Sequence, residues 1–214
     1  MGKPVETIAT DRLLGFMERW VRRASAIAAL GMTGVVLLGM LEGLKRPKGR
    51  TVGRGYRAIP LLAYVVIGAI YLAACVVLWR PFRPELSRPG RVVALAVGAL
   101  LYFPGIGLIL WGRQALGEMY NVSSAFGAEL FADHRLVTSG PFAIVRHPMY
   151  LGAMLAALGG VLIYRTWTLL FMAVHAPVLV IRAWREDEAL AAEFGEEWQA
   201  YRRRVPAWIP RIPG

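Results

Sequence analysis

Apolar residues gather into five long runs, at 24–41, 58–79, 92–112, 150–164 and 167–181, separated by short polar stretches. At about 1.5 Å of rise per residue, a run near 18 residues crosses most of a roughly 30 Å hydrocarbon core. The pattern therefore predicts five transmembrane helices. Only Arg165 and Thr166 part the last two, so these form a tight helical hairpin. Both are short for a span, and flanking residues are expected to extend them.

Ahead of the first run, Leu13, Met17, Trp20, Val21 and Ala24 recur at helical spacing opposite Glu18, Arg19 and Arg22. That reads either as an amphipathic helix on the membrane surface or as a polar lead-in to the first span. Residues 1–23 mix acids with bases, so they do not read as a cleavable signal peptide, and the first run is expected to stay as an anchor. Beyond the last run, Leu190, Phe194, Trp198, Tyr201 and Val205 form another apolar stripe, with Gly195 as a break. This tail is expected to fold back as a lid over the loop at 113–148. The proline-rich stretches "RPFRPELSRPG" and "VPAWIPRIPG" read as a loop and a tail terminator.

The expected organisation is one all-α, polytopic membrane domain with a C-terminal helical lid. It runs as an interfacial segment (1–23), three spans (24–112), a loop (113–148), the hairpin (149–183) and the lid (184–214).

Composition agrees: 57% of the 214 residues are hydrophobic, far from the balance of a soluble domain. The net charge of +11 raises nucleic acid as a partner, but the basic residues cluster at span ends without an aromatic-interleaved patch. Anionic headgroups explain them better. Counted by loop, one side collects fifteen basic residues, six in 42–57, three in 113–148 and six from Arg182 onward, against ten on the other. The positive-inside rule then places the long loop and the tail in the cytoplasm. Arginine supplies 22 of the 25 basic residues, a bias that fits a GC-rich bacterial genome and hence an inner-membrane location. Cys75 stands alone inside a span, and His134, His147 and His175 lack metal-ligand spacing, so neither a disulfide nor a metal site is expected.

Two clusters carry chemistry. In "VRHPMYLG", Pro148 suits the first turn of a helix and His147 its cap, beside backbone amides able to hold an anionic or polar group. His147 either caps or faces a ligand; Arg146 and Tyr150 converge on the same membrane-edge turn. In "IRAWREDEAL", Arg182 and Glu186 share one helix face, as an intrahelical ion pair, with Arg182 snorkelling to headgroups, or as two walls of a pocket.

From about His134 to Pro206, the segments "LVTSGPF", "RHPMYLG", "EDEAL", "FGEEW" and "VP" stand in an order that resembles the isoprenylcysteine carboxyl methyltransferase and phospholipid methyltransferase family. The resemblance implies a membrane-embedded methyltransferase using S-adenosyl-L-methionine. It carries cofactor contacts onto His134, Leu136, Val137, Phe142, His147, Pro148, Met149, Tyr150 and Glu186, and the acceptor-binding arginine onto Arg182. Phe142, Asp187 and Trp198 depart from the family's usual tyrosine, glutamate and tyrosine. The implied acceptor is a lipophilic carboxylate arriving from the bilayer, already ionised and needing no general base. Methylation of a phosphatidylethanolamine-like amine, which needs a proton acceptor such as His147 or Tyr201, is the enzymatic alternative. A sterol-reductase-like protein and a membrane scaffold are the others.

Overall fold

The computed structural model describes residues 5–45, 48–52, 61–82, 86–120, 128–131 and 133–211. The start of the second predicted span, the centre of the first proline-rich loop and the last three residues of the tail lie outside the described residues.

Six helices dominate: α1 (Val5–Leu44), α2 (Leu61–Val77), α3 (Arg88–Leu116), α4 (Pro148–Tyr164), α5 (Trp167–Val174) and α6 (Ala176–Arg204). Three stretches are long and apolar enough to cross a membrane, Thr10–Gly39, Arg88–Met119 and Trp167–Arg204, with shorter apolar helices at Val66–Val77 and Pro148–Tyr164. The protein is thus an integral membrane protein built on the expected helical plan. One addition is a short antiparallel ribbon of β1 (Lys48–Val52) and β2 (Ala128–Phe131), which no alternating pattern had signalled.

The tightest packing joins α3 to α4. A Cβ on Gly105 would come 2.6 Å from the Gly152 carbonyl, and one on Gly159 would come 2.6 Å from the Gly98 carbonyl. Lipid tails are as apolar as leucine, so helices in a bilayer gain by close backbone approach, and small residues permit it. Around this seam Tyr102, Ile106, Ala156 and Ile163 form a buried cluster, with Val21, Ala28 and Met32 of α1 packed on it. Large apolar side chains such as Leu30 and Leu100 point outward, 73% and 72% exposed, as a lipid-facing surface requires.

The ends of the bundle differ. At one end β1 pairs with β2, and the carboxyl tail lies against the loop before α4 through Arg146 N–H to Pro206 O (2.8 Å) and His147 N–H to Ala207 O (3.2 Å). At the other, Pro81 bridges Thr166, Phe82 N–H reaches Arg165 O at 2.9 Å, and Trp167 N–H reaches Arg80 O at 3.1 Å. Arg165 closes the α4–α5 turn with φ 54°, the left-handed conformation that a two-residue reversal demands.

Of the two readings of the segment ahead of the first run, α1 takes the lead-in: it is a single helix of 40 residues that continues from that segment into the span. Its polar residue Glu18 points inward, accepting from Arg91 (2.8 Å) and Arg165 (3.0 Å), while Leu13, Met17 and Trp20 are exposed. Glu18 shares the docking side with the apolar Leu14 and Val21, because two arginines from α3 and the α4–α5 turn converge where it lies, while Arg19 is exposed. The fifth span is also interrupted: α5 ends at Val174, His175 caps it, and Pro177 stands in the first turn of α6. The apolar part of α6 ends at Ile181; the charged remainder leaves the hydrocarbon and kinks at Gly195 (φ 49°, ψ −117°). Its stripe docks as expected, with Trp198, Tyr201 and Val205 buried against Leu136, Leu190 and Phe194.

Candidate functional site

The loop reaching α4 is shaped by punctuation residues. Gly140 takes φ 61° and opens a 3-10 turn (Gly140–Ala143), after which Pro148 starts α4. His147 holds the cap position, but its ring makes no capping hydrogen bond. Instead Nε2 meets Asp187 Oδ1 at 2.8 Å, and the ring lies between Tyr150 and Trp208, with centroids 5.8 and 5.3 Å away. The first backbone amides of α4 are consequently not satisfied by that side chain.

Arg146 fastens the lid. Its Nη2 donates to Asp187 Oδ2 (2.9 Å), its Nη1 donates to Val205 O (2.9 Å), and its guanidinium stands 5.7 Å from the Trp198 ring. Burial works to raise the Asp187 carboxyl, but His147 and Arg146 outweigh it and hold that group below its ordinary value.

Between the α4 start and α6 lies a cavity of about 270 Å³. Phe142, His147, Pro148, Met149, Tyr150, Arg182 and Glu186, seven of the candidate residues, line it. Tyr150 donates its hydroxyl to Glu186 Oε2 at 2.8 Å, and the Arg182 guanidinium stands 5.9 Å from the Tyr150 ring. Arg182 and Glu186 thus share one face toward the α4 start, across a helix interface rather than only along their own helix. His134, Leu136 and Val137 are not among the lining residues: the His134 ring is 6.1 Å from Phe194, and Leu136 packs under the lid.

Three further walls come from elsewhere, Val36 of α1, Leu116 of α3 and Tyr120 just beyond it. Sequence reasoning missed these because Val36 is one apolar residue among many in its run, and Leu116 and Tyr120 fall in the stretch read as a loop. Trp208 and the double role of Asp187 were missed as well; the only signal was an aromatic residue in the terminator and a carboxylate next to Glu186. Tyr201, considered above as a proton acceptor, donates to Phe142 O at 2.7 Å and is pushed up to about 12 by burial. It does not line the cavity.

A cavity at one end of an apolar helical bundle, where Arg146, Arg182 and Glu186 stand among apolar and aromatic neighbours, defines a membrane protein able to handle a polar group beside its spans. Residues 93–197, from α3 to α6, match the phospholipid methyltransferase family. The protein-S-isoprenylcysteine O-methyltransferase of Schizosaccharomyces pombe is 41% identical over 83 residues, 38% of this chain and 35% of that one. Methanethiol S-methyltransferase 2 of Bradyrhizobium diazoefficiens is 30% identical over 160 residues, covering 70% and 59%. The human protein-S-isoprenylcysteine O-methyltransferase is 34% identical over 148 residues, covering 62% and 46%. The chain therefore spans between about a third and three fifths of the length of these relatives.

Proposed function

We propose that this protein is an S-adenosyl-L-methionine-dependent methyltransferase that converts a lipophilic carboxylate, held at the membrane edge, to its methyl ester. The observation that carries this reading is the cavity that Arg182 and Glu186 share with the α4 start, walled also by Val36 and Leu116 of the apolar helices. The residues suit the cofactor. The Glu186 carboxylate matches an ammonium, the amides at the α4 start match a carboxylate, and the Tyr150 and Tyr120 faces suit a sulfonium. When bound, the cofactor supplies an electrophilic methyl on sulfur and leaves as a neutral thioether.

Arg182 presents a planar fork that grips one carboxylate oxygen and leaves the other directed at the methyl carbon. With the cofactor held there, its methyl would pass to the free carboxylate oxygen and the carbon–sulfur electron pair would stay on sulfur. No proton moves. Positioning is therefore the main task, and the Arg146–Asp187–His147 set keeps the lid and the α4 start in register for it. The site is assigned to the cytoplasmic face of a bacterial inner membrane, on the basic-residue excess of the loops and tail that gather there.

A second reading takes a small thiol as acceptor. It is favoured by the longer reach of the methanethiol S-methyltransferase match, 70% of this chain. Detergent-purified protein given methyl-labelled S-adenosyl-L-methionine and membrane lipid extract decides among the acceptors. Label released as methanol by mild base means an ester. Label that survives base in lipid means nitrogen methylation, and a volatile labelled sulfide made only when methanethiol is added means the thiol. No transfer to any acceptor would leave a scaffold. With the ester as product, Arg182→Ala abolishes transfer while cofactor binding persists, and Glu186→Ala weakens cofactor binding; unchanged turnover in Arg182→Ala would sink its role.

A further inference from the structure

The carboxyl tail has two faces. One is fastened to the site: Arg146 N–H donates to Pro206 O (2.8 Å), His147 N–H donates to Ala207 O (3.2 Å), and the Trp208 ring stands 5.3 Å from the His147 ring. The other carries Arg202, Arg203, Arg204 and Arg211, all exposed. Arg211 Nη1 donates to Arg203 O at 3.1 Å, which brings the last of these arginines back beside the end of α6. Pro206 and Pro210 stiffen the segment that joins them.

Charge and position both point toward the bilayer. No acidic residue stands from Trp198 to Arg211, whereas the exposed carboxylates of the lid, Glu188, Glu193, Glu196 and Glu197, all precede that stretch. The height of the tail is set by its bonds to Arg146 and His147, the two residues before the apolar helix α4, so it lies where hydrocarbon gives way to headgroups. Ile209, beside Trp208 and two residues from Arg211, is 80% exposed. An aliphatic side chain among arginines is the composition of a segment lying on a bilayer surface, the apolar group entering the acyl boundary while the guanidinium groups stay with phosphates. An acidic soluble partner would match the charge alone.

We propose that the basic face of the carboxyl tail docks on the anionic headgroups of the leaflet in which α4 begins, and that this docking keeps the tail seated on Arg146 and His147. Arginines near an anionic leaflet are attracted to it over a Debye length of about 8–10 Å, and four of them on one stiff segment act together. Free phosphate has no acyl region for Ile209 to enter, so the occupant is a lipid surface. The site then responds to the composition of its own membrane. On an anionic leaflet the tail is held; on a neutral one it lifts more often, and the His147 ring loses one of its two aromatic neighbours, Tyr150 and Trp208. The docking surface is independent of the acceptor, whereas its coupling to rate rests on the methyltransferase reading.

The test places the purified full chain in vesicles of phosphatidylcholine alone or of an equal mixture with phosphatidylglycerol. A polarity-sensitive dye on Ile209→Cys, with Cys75→Ala to leave one thiol, reads the seating of the tail. Methyl transfer from labelled S-adenosyl-L-methionine to a trace of added fatty acid reads the rate. In the mixture the dye should report more apolar surroundings, and the wild type should turn over about threefold faster or more. Salt at about 1 M, where the Debye length falls to about 3 Å, should remove both gains. Replacing Arg203, Arg204 and Arg211 together by glutamine should also remove them while turnover in phosphatidylcholine stays within about twofold of wild type. Arg211→Gln alone should lose part of both gains, and serves if the triple variant does not fold. A dye signal that ignores lipid charge, or a triple variant with the wild-type response, would overturn the docking surface, and inorganic phosphate reproducing the gains on neutral vesicles would replace the lipid by a free anion. A dye that responds while turnover is equal in both membranes would overturn the coupling to the site alone. With no methyl transfer in either membrane the dye still decides the docking surface, and only the ester-forming reading and the coupling fall.

Discussion

Asp187 serves two partners at once. One carboxylate oxygen orients the His147 ring and the other anchors Arg146, which in turn holds the Val205 carbonyl. Hydrogen bonds to a charged group contribute about 1.5–3 kcal/mol each, so removing the charge while keeping the shape should be felt at the site and at the lid. Asp187→Asn is expected to lower methyl transfer by about tenfold or more with the fold retained, seen as normal elution from size exclusion. The pH dependence follows from the depressed carboxyl. Its contribution to stability is fully present above the ordinary value of 3.8 and is lost as pH falls through its lowered folded value. Thermal melts in detergent should therefore lose midpoint for the wild type as pH is taken below about 4, and lose less for the asparagine variant. Parallel slopes for the two proteins would remove Asp187 from the latch.

Between elements, the α3–α4 seam decides whether the site exists, because α4 presents Tyr150 and Met149 while α3 presents Leu116. A Cβ on Gly152 would come 2.5 Å from the Gly105 carbonyl, which is backbone and cannot swing aside. Gly152→Val should force the helices apart at an overpacking cost of about 1–3 kcal/mol. Lowered thermal stability in detergent together with lost transfer checks this; a valine variant with the wild-type melting point would mean that the helices approach less closely. How far these elements were legible differs by residue. The five runs, the Arg165–Thr166 reversal and the Gly195 break were readable because length and turn chemistry are local properties. The inward turn of Glu18 was not, since its partners Arg91 and Arg165 lie 73 and 147 positions away. The β1–β2 ribbon is likewise a pairing of distant loops. At the site, the arginine and glutamate of α6 and the RHPMY turn stood out as polar groups beside apolar runs, whereas Val36 looks like any lipid-facing residue, and Leu116 like a loop residue, until the helices are assembled.

At the scale of the whole molecule, everything polar with a role in the proposed chemistry lies at one end, and the Glu18 clamp closes the other. The β1–β2 ribbon joins the loop after α1 to the loop after α3, and the tail lies on the latter, so these three segments share a side by direct contact. The bridge of Pro81 to Thr166 likewise puts the α2–α3 and α4–α5 connections on the opposite side. An odd number of crossings is built into that arrangement, and the basic-residue excess then selects which side is cytoplasmic. Single cysteines can read the choice, because the natural Cys75 lies within a span and can be replaced by alanine first. In oriented bacterial vesicles, a membrane-impermeant thiol reagent should reach Glu188→Cys in the exposed part of the lid only from the cytoplasmic side. Ser87→Cys, exposed at the cap of α3, should react only from the other side. Reversed labelling of both would put the cavity outside the cell, away from any cytosolic methyl donor, and the assignment of the cytoplasmic face would fall. Labelling of both from one side would contradict the two-sided pairing itself, since the strand contact and the bridge would then have to form in the same compartment with the spans between them unaccounted for.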